Sequence, residues 1–378
     1  MKPSPTGKVT IWQMSSILRM IYKNPGITRA ELSKTLNINK SITTQLTSFL
    51  EDDRWITCLD TQTKKQPLGI HADRLAIAGV EVQPECCSLV ICNLEGKKIY
   101  EKMWKQESSD LDSFLNIVLP YYLLESGIPI GALGVALPGI VDSESHTLLA
   151  SQPLKVNEPK LLPEKIGSKD FPVFYDNDAR CIGWALVSFM REKSNFYLHY
   201  MNLVEHEPPT DEFRRIIHGT ALFFDQKAFE GSSHCAGEVR MQSHLAFTDG
   251  IKLFGDYMTR LQIKSKPEVF SRYIQSLAFD ISYISTMLDV NKVFIVGSLR
   301  NYREQFTKEF ADMSEKTSYY PHLQKITVEF PEYTHDSITL GAAGMAIERL
   351  LSIPVNENPS EFYKAVAEQK ILQRVSSS

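Results

Sequence analysis

Apolar residues recur at helical spacing three times within the first fifty positions. In residues 10–22 they are Ile11, Met14, Ile17, Leu18 and Ile21, which predicts a helix ended by Lys23-Asn24-Pro25-Gly26. Ala30, Leu32 and Leu36 give a second, shorter helix, with Thr28 as its N-cap and Glu31 at the spacing of a capping box. Asn37-Ile38-Asn39 makes a turn, and residues 40–50 start again with Ile42, Leu46, Phe49 and Leu50 as the buried face. The remaining face carries Lys40, Ser41, Thr43, Thr44, Gln45, Thr47 and Ser48. It is rich in donors and acceptors and almost free of acid, the chemistry of a helix lying in the DNA major groove. The same pattern also fits an ordinary helical hairpin with a solvated face. The period then changes to that of strands at 54–59 and 68–70, on either side of a polar tip that holds Lys64 and Lys65. Three helices followed by a hairpin make a winged helix-turn-helix, with the tip lysines placed for phosphate or the minor groove. Pro67 and His71-Ala72-Asp73 mark the junction to the body of the chain.

Beyond the junction the pattern is that of an α/β layer. Strands are predicted at 75–82, 88–94 and 98–103, then a helix at 110–126 that Pro120 should kink or split, then a strand at 130–137. That strand ends in Pro138-Gly139-Ile140-Val141-Asp142, a turn carrying a carboxylate. Another short strand, from Phe171, runs into Asp176-Asn177-Asp178 and on into a helix at 179–190. The carboxyl end of a strand is where open α/β sheets place their ligands. A carboxylate there could accept a hydroxyl proton while the neighbouring amide holds a second hydroxyl. Asn and Asp in this position also fit plain helix caps.

Composition narrows the class. At 378 residues, 43% apolar and 23% charged, the chain suits two or three globular domains. No run reaches the length of a membrane span and the N-terminus lacks the apolar core of a signal peptide, so a cytoplasmic protein with no membrane partner is expected. The six cysteines (Cys58, Cys86, Cys87, Cys92, Cys181, Cys235) form no C-x-x-C pair, which implies reduced thiols and no zinc site from their spacing. The net charge of -4 conceals an asymmetry: residues 1–75 hold 11 Lys/Arg against 6 Asp/Glu, a balance of +5, and the rest 30 against 39, or -9. A basic head on an acidic body suits a nucleic-acid-binding module fused to a non-binding domain.

Several segments together resemble the ROK family of sugar kinases and winged-helix repressors, which share a two-lobed sugar-kinase/actin-like (ribonuclease H-like) fold. ITRAELSKTLNINKSITTQLTSFLEDDRWI resembles the repressors' head, GVALPGIVD the family's strand-turn, and DNDA the family's E-N-D-A, whose Asp is the kinase base. HCAGEVRM resembles A-G-E-x-G-H, while VNKVFIVGSL and ITLGAAGMAIERL fit the adenine-side turn and the closing helix. The resemblance covers about Thr10 to Leu350. It implies a winged helix-turn-helix domain at 1–75 and a two-lobed, dimerising, effector-sensing body at 76–378.

The departures from the family bear on chemistry. The turn that should approach ATP phosphates reads Gln83-Pro84-Glu85 after Glu81, where Pro84 has no N–H to donate and the acids repel a triphosphate. Of the second phosphate loop, placed at 217–221, only Gly219 survives, and Gly297-Ser298 keeps one glycine of a cluster. No ATP, no other cofactor and no catalytic residue is expected; a ROK kinase phosphorylating a hexose is the rival. Met241 replaces the family's zinc histidine and residues 242–262 hold no cysteine, so no metal is expected, with His234 and His244 as surface groups. Asn177, Asp178 and Glu238 match sugar-contacting positions of the family. The cleft could therefore take a sugar or sugar phosphate, a less polar effector, or nothing. The resemblance implies a DNA-binding regulator, most often a repressor, acting as a homodimer or dimer of dimers on a palindromic double-stranded operator. Expected contacts to DNA are Thr28, Arg29, Asn39, Lys40, Ser41, Thr43, Thr44 and Gln45, with Lys64 and Lys65 from the wing.

Overall fold

Gly26, at φ 92°, turns the chain out of its first helix, and Asn37, at φ 51°, turns it out of the second. Both are residue types that tolerate the left-handed region, which is why the helices stop there. The structure, a computed structural model, describes residues 8–63, 65–105, 110–167, 171–205, 213–239, 247–248, 251–252 and 267–352. Helices α1 (Lys8–Lys23), α2 (Arg29–Thr35) and α3 (Lys40–Asp52) lead into the antiparallel hairpin β1 (Ile56–Cys58) and β2 (Leu68–Ile70). The capping box is present at α2: Glu31 N–H donates to Thr28 Oγ1 at 3.3 Å, and Thr28 N–H to Glu31 Oε2 at 2.9 Å. Ile27 forms a single antiparallel bridge with Leu68, which ties the loop before α2 to the hairpin. This is a winged helix-turn-helix.

Two compact units divide the chain: residues up to Arg191 together with those from Asp336, and Glu192–His335. In the first unit the body opens with β3 (Ala76–Val82), β4 (Cys86–Asn93) and β5 (Lys98–Lys105). Next come α4 (Leu111–Ser113), a π-helical segment (Phe114–Val118) and α5 (Leu119–Glu125). The helix expected at 110–126 is thus split, as Pro120 required: without an N–H, Pro120 cannot continue the α-helical ladder, and the preceding turn widens. Strands β6 (Ala132–Leu137), β7 (Ile140–Asp142), β8 (Thr147–Ala150), β9 (Lys160–Leu161) and β10 (Val173–Asn177) and helix α6 (Asp178–Ser188) follow. The main sheet has the order β10-β6-β3-β4-β5, with β6 and β10 parallel to β3 and with β4 and β5 alternating antiparallel.

The second unit contains β11 (Phe196–Glu205), β12 (Phe213–Phe224), β13 (Lys227–Ala228), β14 (Phe247–Thr248), β15 (Ile251–Lys252), α7 (Pro267–Met287), β16 (Lys292–Gly297), α8 (Arg303–Thr317) and β17 (Thr327–Glu329). Its main sheet runs β13-β12-β11-β16-β17. In chain order this is the topology of the first unit over again, three antiparallel strands with two parallel ones added beside the first. The repeat is that of the sugar-kinase/actin-like fold. Residues 217–221, expected as a phosphate loop, lie inside β12, where Gly219 pairs with Tyr200; the strand continues through them because cross-strand hydrogen bonding extends on both sides.

Helix α9 (Ser337–Leu351) returns to the first unit and packs on β3, β6 and α6. Its small residues let backbone meet backbone: a methyl group on Gly79 would lie 1.9 Å from the Thr339 carbonyl oxygen, and one on Gly341 1.8 Å from that of Cys181. The other face of α9 closes onto the head. Met14, Ile17, Leu18 and Ile21 of α1 belong to one continuous apolar core with Ile77, Val90, Cys92, Ala343, Ile347 and Leu350. Between wing and body there is only a 3₁₀ turn (Ala72–Arg74), fixed by Leu94 N–H to Ala72 O at 3.0 Å and Asn93 Nδ2 to Asp73 Oδ1 at 2.7 Å. The head is joined to the body by a core, not by a tether.

Candidate nucleic-acid interface

Helix α3 carries the polar face, and its register differs from the expected one. Leu46 and Leu50 are buried and Phe49 half-buried, but Ile42 is 39% exposed while Thr43 and Thr47 face inward at 1% and 0%. The reason is local bonding. Thr43 Oγ1 donates to the Asn39 carbonyl at 3.1 Å and Thr47 Oγ1 to the Thr43 carbonyl at 2.9 Å, so both hydroxyls are satisfied within the helix and can be buried at little cost. Thr43, expected at the DNA, is therefore on the core side of the head.

The other expected contacts separate into two groups. Asn39, Lys40, Ser41, Thr44 and Gln45 are exposed. Asn39 caps α3, its side chain accepting from Ser41 N–H at 2.8 Å, and Thr44 Oγ1 donates to the Lys40 carbonyl at 2.9 Å. On a helix turning 100° per residue, Ser41, Gln45 and Ser48 form the line furthest from the core, bordered by Thr44 on one side and Ile42 on the other. No acid occurs on α3 before Glu51. Thr28 and Arg29 are committed inside the head. Thr28 caps α2, while Arg29 reaches Thr47 Oγ1 at 3.0 Å, Gln66 Oε1 at 3.2 Å and the Glu51 carboxylate, tying α2, α3 and the wing together. Backbone and side-chain bonds from Thr28 hold the Glu31 carboxyl below its usual range. At the wing tip Lys65 is exposed; Lys64 lies outside the described residues.

The first-unit residues expected to meet an effector, Asn177 and Asp178, sit where β10 gives way to α6. Asn177 is nearly buried and is the N-cap of α6: its Oδ1 accepts from Ala179 N–H at 2.9 Å and Arg180 N–H at 3.1 Å, while its Nδ2 donates to the Gly139 carbonyl at 2.9 Å. Asp178, half-buried, accepts at 3.4 Å from Gln83 Nε2, which also donates to Glu81 at 3.2 Å. Gln83, from the turn that should face phosphates, thus bridges the two carboxylates. Beneath them Asp176 is fully buried, paired with Arg180 and accepting from Trp184 Nε1 at 2.8 Å. The sequence signal for this triad is its i, i+4, i+8 spacing, which places Arg180 and Trp184 on one face of α6. In the second unit Glu238 is exposed beyond a tight turn in which Thr220 Oγ1 donates to the Gly237 carbonyl at 2.6 Å. His234 pairs with Glu230 at 2.8 Å. Met241, His244 and residues 242–246 of the expected zinc region lie outside the described residues, as do most of those up to 262.

The head and body also share a buried polar contact. Lys23, at the end of α1, pairs with Glu348 of α9, with side chains 11% and 5% exposed. Tyr22 Oη donates to the Ser188 carbonyl at 3.2 Å, Ser188 Oγ to the Gly344 carbonyl at 3.0 Å, and Arg191 stacks over the Tyr22 ring. Burial pushes the Lys23 ammonium below its usual range, and Glu348 pulls it back in part. The helix that begins at Asn177 and Asp178 thus ends at Ser188, against the head.

Residues 15–57 match a family model described as winged helix-turn-helix DNA-binding. The chain is similar to a xylose repressor of Caldicellulosiruptor bescii, 20% identical over 395 residues that cover 89% of this chain and 96% of that one. Among solved structures it resembles a ROK family transcriptional regulator described as a homologue of the E. coli MLC protein, at a TM-score of 0.67 and 14% identity, over 95% of this chain and 99% of that one. It also resembles a ROK family glucokinase from Streptomyces griseus in complex with glucose and AMPPNP, at a TM-score of 0.51 and 13% identity, but over only 72% of this chain against 99% of that one. Among the described residues no helix is long and apolar enough to cross a membrane. With a DNA-binding winged head built onto a duplicated kinase-like body, the chain has the fold and domain order of a ROK-family transcriptional regulator.

Proposed function

We propose that this chain represses transcription by binding a palindromic operator as a two-fold dimer or dimer of dimers, and that its body is a non-catalytic sensor of a sugar or sugar phosphate. The observation that carries the DNA reading is the outward line of α3: Ser41 and Gln45 exposed, Lys40 beside them, and no acid before Glu51. Such a face supplies hydrogen bonds to base edges and favourable charge toward phosphate. In this reading residues 1–75 read DNA, with Lys65 and Lys64 on phosphate, and residues 76–378 sense and dimerise. Arg29 and Thr28 hold the reading helix in place, and Thr43 supports it from inside.

For the sensor, Asp178 offers a carboxylate acceptor to a sugar hydroxyl, and Asn177 caps α6 beside it. The shared core and the Lys23–Glu348 pair support direct transmission, since a shift of α6 or α9 would move α1 with no slack to absorb it. Against kinase activity stand Pro84 and Glu85 in the phosphate turn and the engagement of Asp178 by Gln83. The name of the Caldicellulosiruptor relative makes xylose the first sugar to try. A thermal-shift screen of sugars and sugar phosphates on the full chain should give a raised Tm for at least one, lost in Asp178→Ala. No shift with any sugar would remove the sensor. Turnover of ATP with a hexose, abolished by Asp178→Asn, would replace this reading with the kinase.

A further inference from the structure

We propose that Ile42 reads the 5-methyl group of a thymine in each operator half-site, beside the base pair contacted by Gln45. The inference rests on the DNA-reading function proposed above. Its basis is the rotation of α3 away from the orientation its hydropathy predicts. Hydropathy alone would bury Ile42 and expose Thr43, yet Ile42 is 39% exposed and Thr43 1%. Single apolar residues on a surface are common. This one stands on the third residue of α3, in the N-terminal turn that recognition helices insert into the major groove.

Its neighbours define what it can meet. Gln45 lies one turn further along, with the two β-carbons about 5–6 Å apart. The Gln45 amide can donate and accept together, as the N6/N7 edge of adenine requires. The thymine of that pair, or of an adjacent one, presents the only apolar group on the floor of the major groove, its 5-methyl. A branched aliphatic side chain at the edge of a polar reading line matches that group and no other base feature. Thr44, on the opposite edge, has its hydroxyl proton committed to the Lys40 carbonyl and is left as an acceptor only.

The test uses the full-length chain and an operator recovered by selection from random duplex DNA. Each thymine is replaced singly by deoxyuridine, which removes the methyl and leaves pairing intact. Wild type should lose affinity about fourfold at one thymine per half-site, and about fifteenfold when both half-sites are changed, the equivalent of one buried methyl each. Ile42→Ala should bind the thymine operator with that same deficit and lose nothing more on deoxyuridine, while Ile42→Val keeps part of the response. Sequence-specific binding by wild type with no sensitive thymine, or an Ile42→Ala variant as sensitive as wild type, overturns the inference and leaves DNA reading intact. Recovery of no preferred sequence overturns both.

Discussion

The hydroxyl of Thr43 is spent on the Asn39 carbonyl inside the head, whereas the amide of Gln45, on the outer line of the same helix, faces solvent. The two residues should therefore respond oppositely to truncation. Thr43→Val should leave operator affinity unchanged, and Gln45→Ala should relax discrimination at one base pair by about 1–3 kcal/mol, measured by titration against the selected operator and single-base variants. Glu31 yields a pH prediction. Its folded pKa is depressed by the Thr28 bonds, so its contribution is fully present above the unfolded value and is lost as pH falls through the folded one. The stability difference between wild type and Glu31→Gln in denaturant titrations should thus shrink below about pH 4.3 and vanish in stronger acid.

Among the elements, α9 illustrates what small residues do. Gly79 and Gly341 are where α9 meets β3 and α6 with no room for a side chain, so Gly79→Ala should destabilise the first unit by about 1–3 kcal/mol, read as a lower urea midpoint. Most elements were legible in sequence because period and punctuation agreed. Thr28 and Glu31 announced α2, Pro120 announced the broken helix, and the apolar runs announced β3, β4 and β6. The register of α3 was not legible, since hydropathy ranks isoleucine inside and cannot see that a threonine bonded to its own helix buries cheaply. The commitments of Arg29 were likewise hidden, because its partners on α3 and the wing are set by how elements pack rather than by spacing along the chain. The strand at 217–221 was missed because Ile217-His218-Gly219-Thr220-Ala221 has no clear alternation to mark a strand, and its resemblance to a glycine-bearing loop decided the reading.

On the scale of the whole molecule, the fact that matters most is the shared core between the winged head and the first body unit. The Lys23–Glu348 pair seals it, and removing Glu348 leaves the Lys23 ammonium largely buried without its carboxylate and with Arg19 and Arg191 nearby. Glu348→Gln should cost about 3–5 kcal/mol of stability, while Lys23→Met with Glu348→Leu together should restore most of it, by thermal or urea unfolding. A head built this way continues directly into the first body unit through packed side chains. Whether that head reads DNA decides the rest. Full-length protein should select from random duplexes a palindrome whose half-sites lie about one helical turn apart, and bind it with an affinity that falls steeply with salt. Recovery of sequences with no shared motif, bound equally well at low and high salt, would contradict it.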